Sequence, residues 1–301
     1  MDPTLLLVGG GLLALVLGHE IFSDDDDDDD NTKPLDIEAE DGVARGTADD
    51  DLITTENITG VYTAIHAGAG NDTVETEPYD ARVDVYGDAG NDKLDIEFAS
   101  EMTIDGGGGN DTIEADGGGN ATILGGAGDD IIDYSDEDYG IDSTFAADVI
   151  DAGAGDDVVE AELSTHPFHM PLEVTTGAGA DTISFTPEID NIVLTYDDVQ
   201  PGGVPTLDRT GELAQITDFD PKLDQLTIDP MSELDPESLW INDLPAEISY
   251  AGYEVTEDAD GTVVSLIHDV VSAEESAQYT LNIDLPGATG IPASAIKIIG
   301  V

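Results

Sequence analysis

Between residues 46 and 184 one nine-residue unit recurs seven times: GTADDDLIT, AGAGNDTVE, GDAGNDKLD, GGGGNDTIE, GGAGDDIID, AGAGDDVVE and TGAGADTIS. Each copy puts an aspartate at its sixth place: Asp51, Asp72, Asp92, Asp111, Asp130, Asp157 and Asp181. An x-apolar-x triplet follows every one. A unit this short buries no apolar face alone, so its copies must stack on one another. The glycines let the first half bend, because glycine takes positive φ without a Cβ penalty. The second half reads as a very short strand whose middle residue points inward.

Those inward residues form a ladder of Ile53, Val74, Leu94, Ile113, Ile132, Val159 and Ile183, nearly all β-branched. A second ladder stands nine residues upstream of each: Ala44, Ile65, Val85, Ile104, Ile123, Ile150 and Val174. The path from one coil to the next instead varies, through 12, 11, 10, 10, 18 and 15 residues. A constant side and a variable side predict a mainly-β fold: a right-handed parallel β-roll, or β-solenoid, with the aspartate turns on one edge. The variable edge holds a degenerate turn, Asp116 to Ala121, with Ala121 where an aspartate would sit. It also takes two insertions, about 134–147, with Tyr134, Tyr139 and Phe145, and about 163–172, with the loop His166-Pro-Phe-His169. An aspartate offers a hard oxygen, and bare glycine backbone lets carbonyls face an ion. Calcium takes about six to eight such oxygens, so two stacked turns would share each ion. Seven turns leave a single column of up to six gaps.

With these turns the chain resembles the repeats-in-toxin (RTX), or hemolysin-type, calcium-binding repeat family. The resemblance rests on GAGND at 68–72, GDAGND at 87–92, GGGGND at 106–111, GGAGDD at 125–130, GAGDD at 153–157 and GAGAD at 177–181. It implies a β-roll whose glycine turns bind calcium. The ligand set it implies is Asp51; Gly68, Gly70, Asn71 and Asp72; Gly87, Gly90, Asn91 and Asp92; Gly107, Gly109, Asn110 and Asp111; Gly126, Gly128, Asp129 and Asp130; Gly153, Gly155, Asp156 and Asp157; and Gly177, Gly179 and Asp181. The sequence departs from the family pattern where Asp129, Asp156 and Ala180 replace the common asparagine, and in its degenerate second edge. A shorter likeness, Ile216-Thr-Asp-Phe-Asp-Pro221 with Asp224 and Leu226, matches the segment that follows the repeats in type I secreted proteins.

Lys plus Arg is 7 against 69 Asp plus Glu, a net charge of −62. That excludes a nucleic-acid partner, whose phosphates need a basic patch. Like charge at this density also opposes a compact state, so the repeats are expected to fold only when calcium neutralises them. Cysteine is absent, so calcium takes the place of disulfides as the staple of an extracellular protein.

The chain divides into an apolar anchor or signal-like segment over 1–22, an acidic disordered linker over 23–41, the roll over 42–190 and a β-rich capping or secretion region over 191–301. The apolar run 4–18 is short for a membrane span and lacks a preceding cation, and Asp24 to Asp30 must stay solvated. A hairpin is expected where Asp258-Ala-Asp260-Gly261 precedes Thr262. Two functions stay open: a calcium-folded extracellular or cell-surface structural or adhesive protein that meets a surface glycan, a matrix or a membrane, and a glycan-acting enzyme of lyase or epimerase type. For the enzyme the sequence offers only an outward stripe, Glu75, Asp95, Glu114, Asp133 and Glu160; it shows no Gly-x-Ser-x-Gly elbow, phosphate loop or zinc-protease helix.

Overall fold

The computed structural model describes residues 33–77, 82–135, 147–164, 170–189, 193–194, 210–230, 233–234, 240–241, 244–272 and 276–299. The apolar run, the polyaspartate, Tyr139, Phe145 and the His166–His169 loop lie outside them. Among the described residues no helix is long and apolar enough to cross a membrane.

The chain winds into stacked coils, each with one strand before the glycine turn and one after it. The strands entering the turns are Val43–Arg45, Ala64–Ala69, Asp84–Ala89, Thr103–Gly108, Thr122–Ala127, Val149–Ala154, Leu172–Thr175 and Thr210–Ile216, paired in parallel in that order. The strands leaving them run from Leu52–Thr54 through Thr73–Glu75, Lys93–Ser100, Thr112–Gly119, Ile131–Ser135, Val158–Ser164 and Thr182–Ile189 to Gln225–Ile228. The expected inward ladders are in register. Ile53, Val74, Leu94, Ile113, Ile132, Val159 and Ile183 stand on one another, and so do Ala44, Ile65, Val85, Ile104, Ile123, Ile150 and Val174. Every member is at most 1% exposed, so the two ladders are the core between the sheets.

Both ends of the roll differ from the sequence reading. The acidic linker gives way to ordered chain before residue 41. The Leu35 amide donates to the Leu52 carbonyl at 2.7 Å, and Ile37–Glu38 pairs with Ile58–Thr59, burying Ile37 and Ile58 over the first coil. At the other end the roll runs one coil past residue 190, because Ile216 stacks on Val174 and Leu226 on Ile183. This eighth coil makes its turn with Asp218, Phe219, Asp220, Pro221 and Asp224 and without glycine. Ile296–Ile298 then pairs with Leu226–Ile228, and Ser276–Pro286 with Thr210–Ile216. Antiparallel strands Gly261–Ser272 and Leu244–Glu257 extend that sheet, followed by Trp240–Ile241 and, at its edge, Val193–Leu194, while the other sheet ends on Ile296–Ile298. The expected hairpin is present: Asp258 Oδ1 accepts the amides of Asp260 and Gly261.

The variable edge shows why there is one column. Ala121 sits where an aspartate would, and in the next coil Asp148 takes over the task, its Oδ1 accepting the Ala121 amide at 2.6 Å. Its other oxygen accepts the hydroxyl of Tyr134, a donor standing where a cation would otherwise be needed. Tyr134 is therefore a core residue, 1% exposed in strand Ile131–Ser135, and not part of an insertion. Its register neighbours Ala115 and Ala161 are small, and a Cβ at Gly117 would strike its ring. Tyr134→Phe removes a charge-assisted hydrogen bond in the core. Denaturant melts in calcium are expected to show a loss of about 1.5–3 kcal/mol.

Candidate metal centre

The sixth-place aspartates form a continuous hydrogen-bonded column. Each Oδ1 accepts the backbone amide of the aspartate one coil earlier: Asp72 from Asp51 at 2.8 Å, Asp92 from Asp72 at 2.7 Å, Asp111 from Asp92, Asp130 from Asp111 and Asp157 from Asp130 at 2.8 Å, and Asp181 from Asp157 at 3.0 Å. Asp224 adds a further rung, accepting the Asp181 amide at 3.2 Å. The fifth-place side chains run the other way. Asp50, Asn71, Asn91, Asn110, Asp129 and Asp156 each accept, through Oδ1, the fifth-place amide of the next coil. Both amides of every glycine turn after the first are thus capped, from opposite sides.

What the column leaves over is oxygen. The Oδ2 atoms of Asp72, Asp92, Asp111, Asp130, Asp157 and Asp181 are buried and accept no hydrogen bond. None of these six residues is more than 2% exposed. A buried carboxylate oxygen without a partner is costly, and a run of them one coil apart is costlier. At a coil spacing of about 4.8 Å and an effective dielectric of about 20, neighbouring full charges repel by about 3 kcal/mol. Burial is the largest cause pushing these carboxyls up, with neighbouring carboxylates adding to it against the opposing amide bonds. Asp92 and Asp130 rise to about 7 and Asp157 to about 6. Asp72, Asp111, Asp181 and Asp224 also rise.

The two ends of the column are closed differently. Asp51 Oδ2 accepts the amide and hydroxyl of Thr47 at 2.6 and 2.9 Å, so the chain itself fills this place. Asp224 Oδ2 accepts the Asp220 amide at 2.6 Å. Asp51, expected among the ligands, has its Oδ2 taken up by Thr47, and Asp224 is its counterpart at the other end. Asp224-Gln-Leu226 repeats the aspartate-x-apolar signal, but its turn lacks the glycines that make the other copies recognisable. The asparagine and aspartate side chains at the fifth place, also expected as ligands, spend Oδ1 on backbone capping.

The glycines have two roles. At the fourth place Gly70, Gly90, Gly109, Gly128, Gly155 and Gly179 take φ between 131° and 159°, and from Gly90 onward a Cβ on each would collide with the fourth-place carbonyl of the coil before. At the first place glycine leaves room beside the leftover oxygens. A Cβ on Gly106 would lie 2.6 Å from both Asp111 Oδ2 and the Gly125 carbonyl oxygen; one on Gly87 would lie 2.6 Å from Asp92 Oδ2 and 2.5 Å from the Gly106 oxygen. The leftover oxygens of Asp92, Asp111 and Asp130 thus each face a carbonyl of the following coil. Among the described residues no three acidic or histidine side chains converge on one point. A cation held here would draw on carboxylate and backbone oxygens, a hard-oxygen set that suits calcium.

Such a parallel roll with a column of buried, unpartnered carboxylate oxygens defines a calcium-binding solenoid. The RTX calcium-binding nonapeptide repeat family matches the chain in four copies, over residues 64–77, 103–121 and 141–163. The matched coils are repeats of the RTX calcium-binding type. No curated protein and no solved structure matches it.

On the outer face of the second sheet, Glu75, Asp95, Glu114, Asp133 and Glu160 stand in register as expected. Lys93 reaches Asp95 at 3.5 Å and Glu114 at 3.2 Å. A groove of about 320 Å³ beside them is lined by Glu97, Asp116, Ser135 and Glu162 as well.

Proposed function

We propose that this protein is a calcium-folded structural or adhesive element of the extracellular space or cell surface, holding one calcium ion in each of six gaps of its column. The six buried, unpartnered Oδ2 atoms carry this reading, because in the absence of a cation they disfavour the fold that the two apolar ladders favour. Extracellular calcium is millimolar, enough for sites of about 10⁻⁴–10⁻³ M affinity. The absence of cysteine agrees with a protein whose staple is the ion. Six ions would bring the net charge of −62 to about −50, so the filled protein keeps a strongly acidic, solvated surface.

The acidic groove favours a glycan as the surface partner, since carboxylates accept hydrogen bonds from sugar hydroxyls. The full chain is expected to be retained on immobilised surface glycan in 2 mM calcium and to elute in EGTA, with the glycan unchanged. Glu114→Gln with Asp133→Asn should weaken retention several-fold. Release of unsaturated sugars with new reducing ends, or inversion of a sugar carbon in an uncleaved chain, would instead make the groove the site of the second reading, a glycan lyase or epimerase respectively.

A further inference from the structure

The six gaps are not alike. Register pairing places Ala67 beside Gly87, and Gly125 beside Ala152, at the first place of successive units. The first place thus reads Ala67, Gly87, Gly106, Gly125, Ala152 and Thr176 along the coils that carry a leftover oxygen. At Gly87, Gly106 and Gly125 the missing Cβ leaves open the space between the carboxylate Oδ2 of that coil and the carbonyl of the next. At Gly106 the two oxygens are each 2.6 Å from that vacant Cβ point. They therefore lie no more than about 5 Å apart, roughly twice a calcium–oxygen bond. Ala67 and Ala152, both fully buried, put a real methyl at this place, and Thr176 puts a larger side chain there. The Thr176 hydroxyl is moreover committed to Asp218, at 3.1 Å. A methyl needs more than 3 Å from an oxygen, so it must push the carboxylate or the carbonyl away from the shared point.

We propose that the first-place residue decides which gaps hold calcium tightly: the glycine gaps at Asp92, Asp111 and Asp130 form a tight central trio, and those at Asp72, Asp157 and Asp181 form a weak flanking set. The trio fills first and folds the middle of the roll, and the flanks follow as calcium rises. The trio is contiguous, so its three ions neutralise neighbouring carboxylates together. This inference rests on the reading of the column as the calcium site.

Equilibrium dialysis of the full chain against graded free calcium, with bound metal counted by atomic emission, tests it. The wild type should show three ions at low free calcium and six at high. Ala152→Gly should raise the tight count to four, converting the Asp157 gap with at least a tenfold gain in its affinity. Gly106→Ala should lower the tight count to two. Ala152→Gly only removes a methyl, so it answers even if Gly106→Ala fails to fold. A wild type that binds no calcium sinks the reading of the column itself. Calcium binding in one class of six, or an Ala152→Gly protein with the wild-type profile, overturns the inference and leaves that reading standing.

Discussion

Stripped of calcium at pH 7.5, the chain should lose its far-UV β signal, and 2 mM calcium should restore it. A site of about 10⁻⁴ M affinity adds about 1.8 kcal/mol at this concentration. Six such sites supply about 11 kcal/mol, as much as the whole stability of an ordinary domain, about 5–15 kcal/mol. The pH dependence carries a second signature. The column carboxyls ionise near 3.9 in the unfolded chain, but Asp92 and Asp130 do so only at about 7 in the metal-free roll and Asp157 at about 6. Below pH 4 both states hold their protons and no penalty arises. As pH rises from 4 to 7 the unfolded chain sheds protons that the roll keeps, so the metal-free roll loses stability through this window and has lost all of it above 7. Calcium-stripped protein should therefore regain β signal when acidified from pH 7.5 to 5. Calcium affinity runs the opposite way, because the ion enters where a proton must leave. Titration of calcium at pH 5 in weak buffer, where the stripped roll is folded and holds these protons, should release protons. A β spectrum indifferent to calcium, or binding without proton release, would contradict the column as the site.

The apolar ladders were legible in the sequence because their information is local and repeated. An aliphatic residue at a constant distance from an aspartate, copied seven times, leaves one register. The ligand assignment was legible only in part. Asn91 and Asp92 are adjacent and both bear oxygen, yet Asn91 caps the coil after it and Asp92 the coil before it. Which way each side chain turns follows from the backbone of the turn, not from composition. Thr47 closes the first gap because one hydroxyl and one amide happen to meet Asp51 Oδ2, a fact of geometry with no repeat to announce it. Tyr134 read as the start of an insertion because its role depends on Asp148, 14 residues away across the variable edge. The eighth coil escaped because its turn runs ten residues from Ile216 to Leu226 and holds no glycine. The periodicity it obeys is spatial.

Gly109→Ala should strongly destabilise the roll, while Gly108→Ala, one residue away, should be nearly silent. Gly109 has φ of 135°, a conformation L side chains rarely adopt. A Cβ there would fall on the Gly90 carbonyl and within 2.9 Å of Asn91 Oδ1. The carbonyl belongs to the backbone of the coil before, so relief requires the two coils to separate. That separation would stretch the rungs joining them: the Asp92 amide to Asp111 Oδ1 at 2.8 Å and the Asn110 amide to Asn91 Oδ1 at 2.8 Å. It would also unstack Ile113 from Leu94. Backbone strain costs about 1–3 kcal/mol and overpacking about as much again, so a loss of about 3–5 kcal/mol is expected in calcium. A Cβ on Gly108 meets nothing within 4 Å. Its effect should lie within about 0.5 kcal/mol of zero. The pair differs by one position and no chemistry, so denaturant melts of the two proteins in 2 mM calcium isolate coil stacking from glycine content. Equal losses would mean that the fourth-place glycines serve only chain flexibility and that the coils do not pack carbonyl on Cα along this edge.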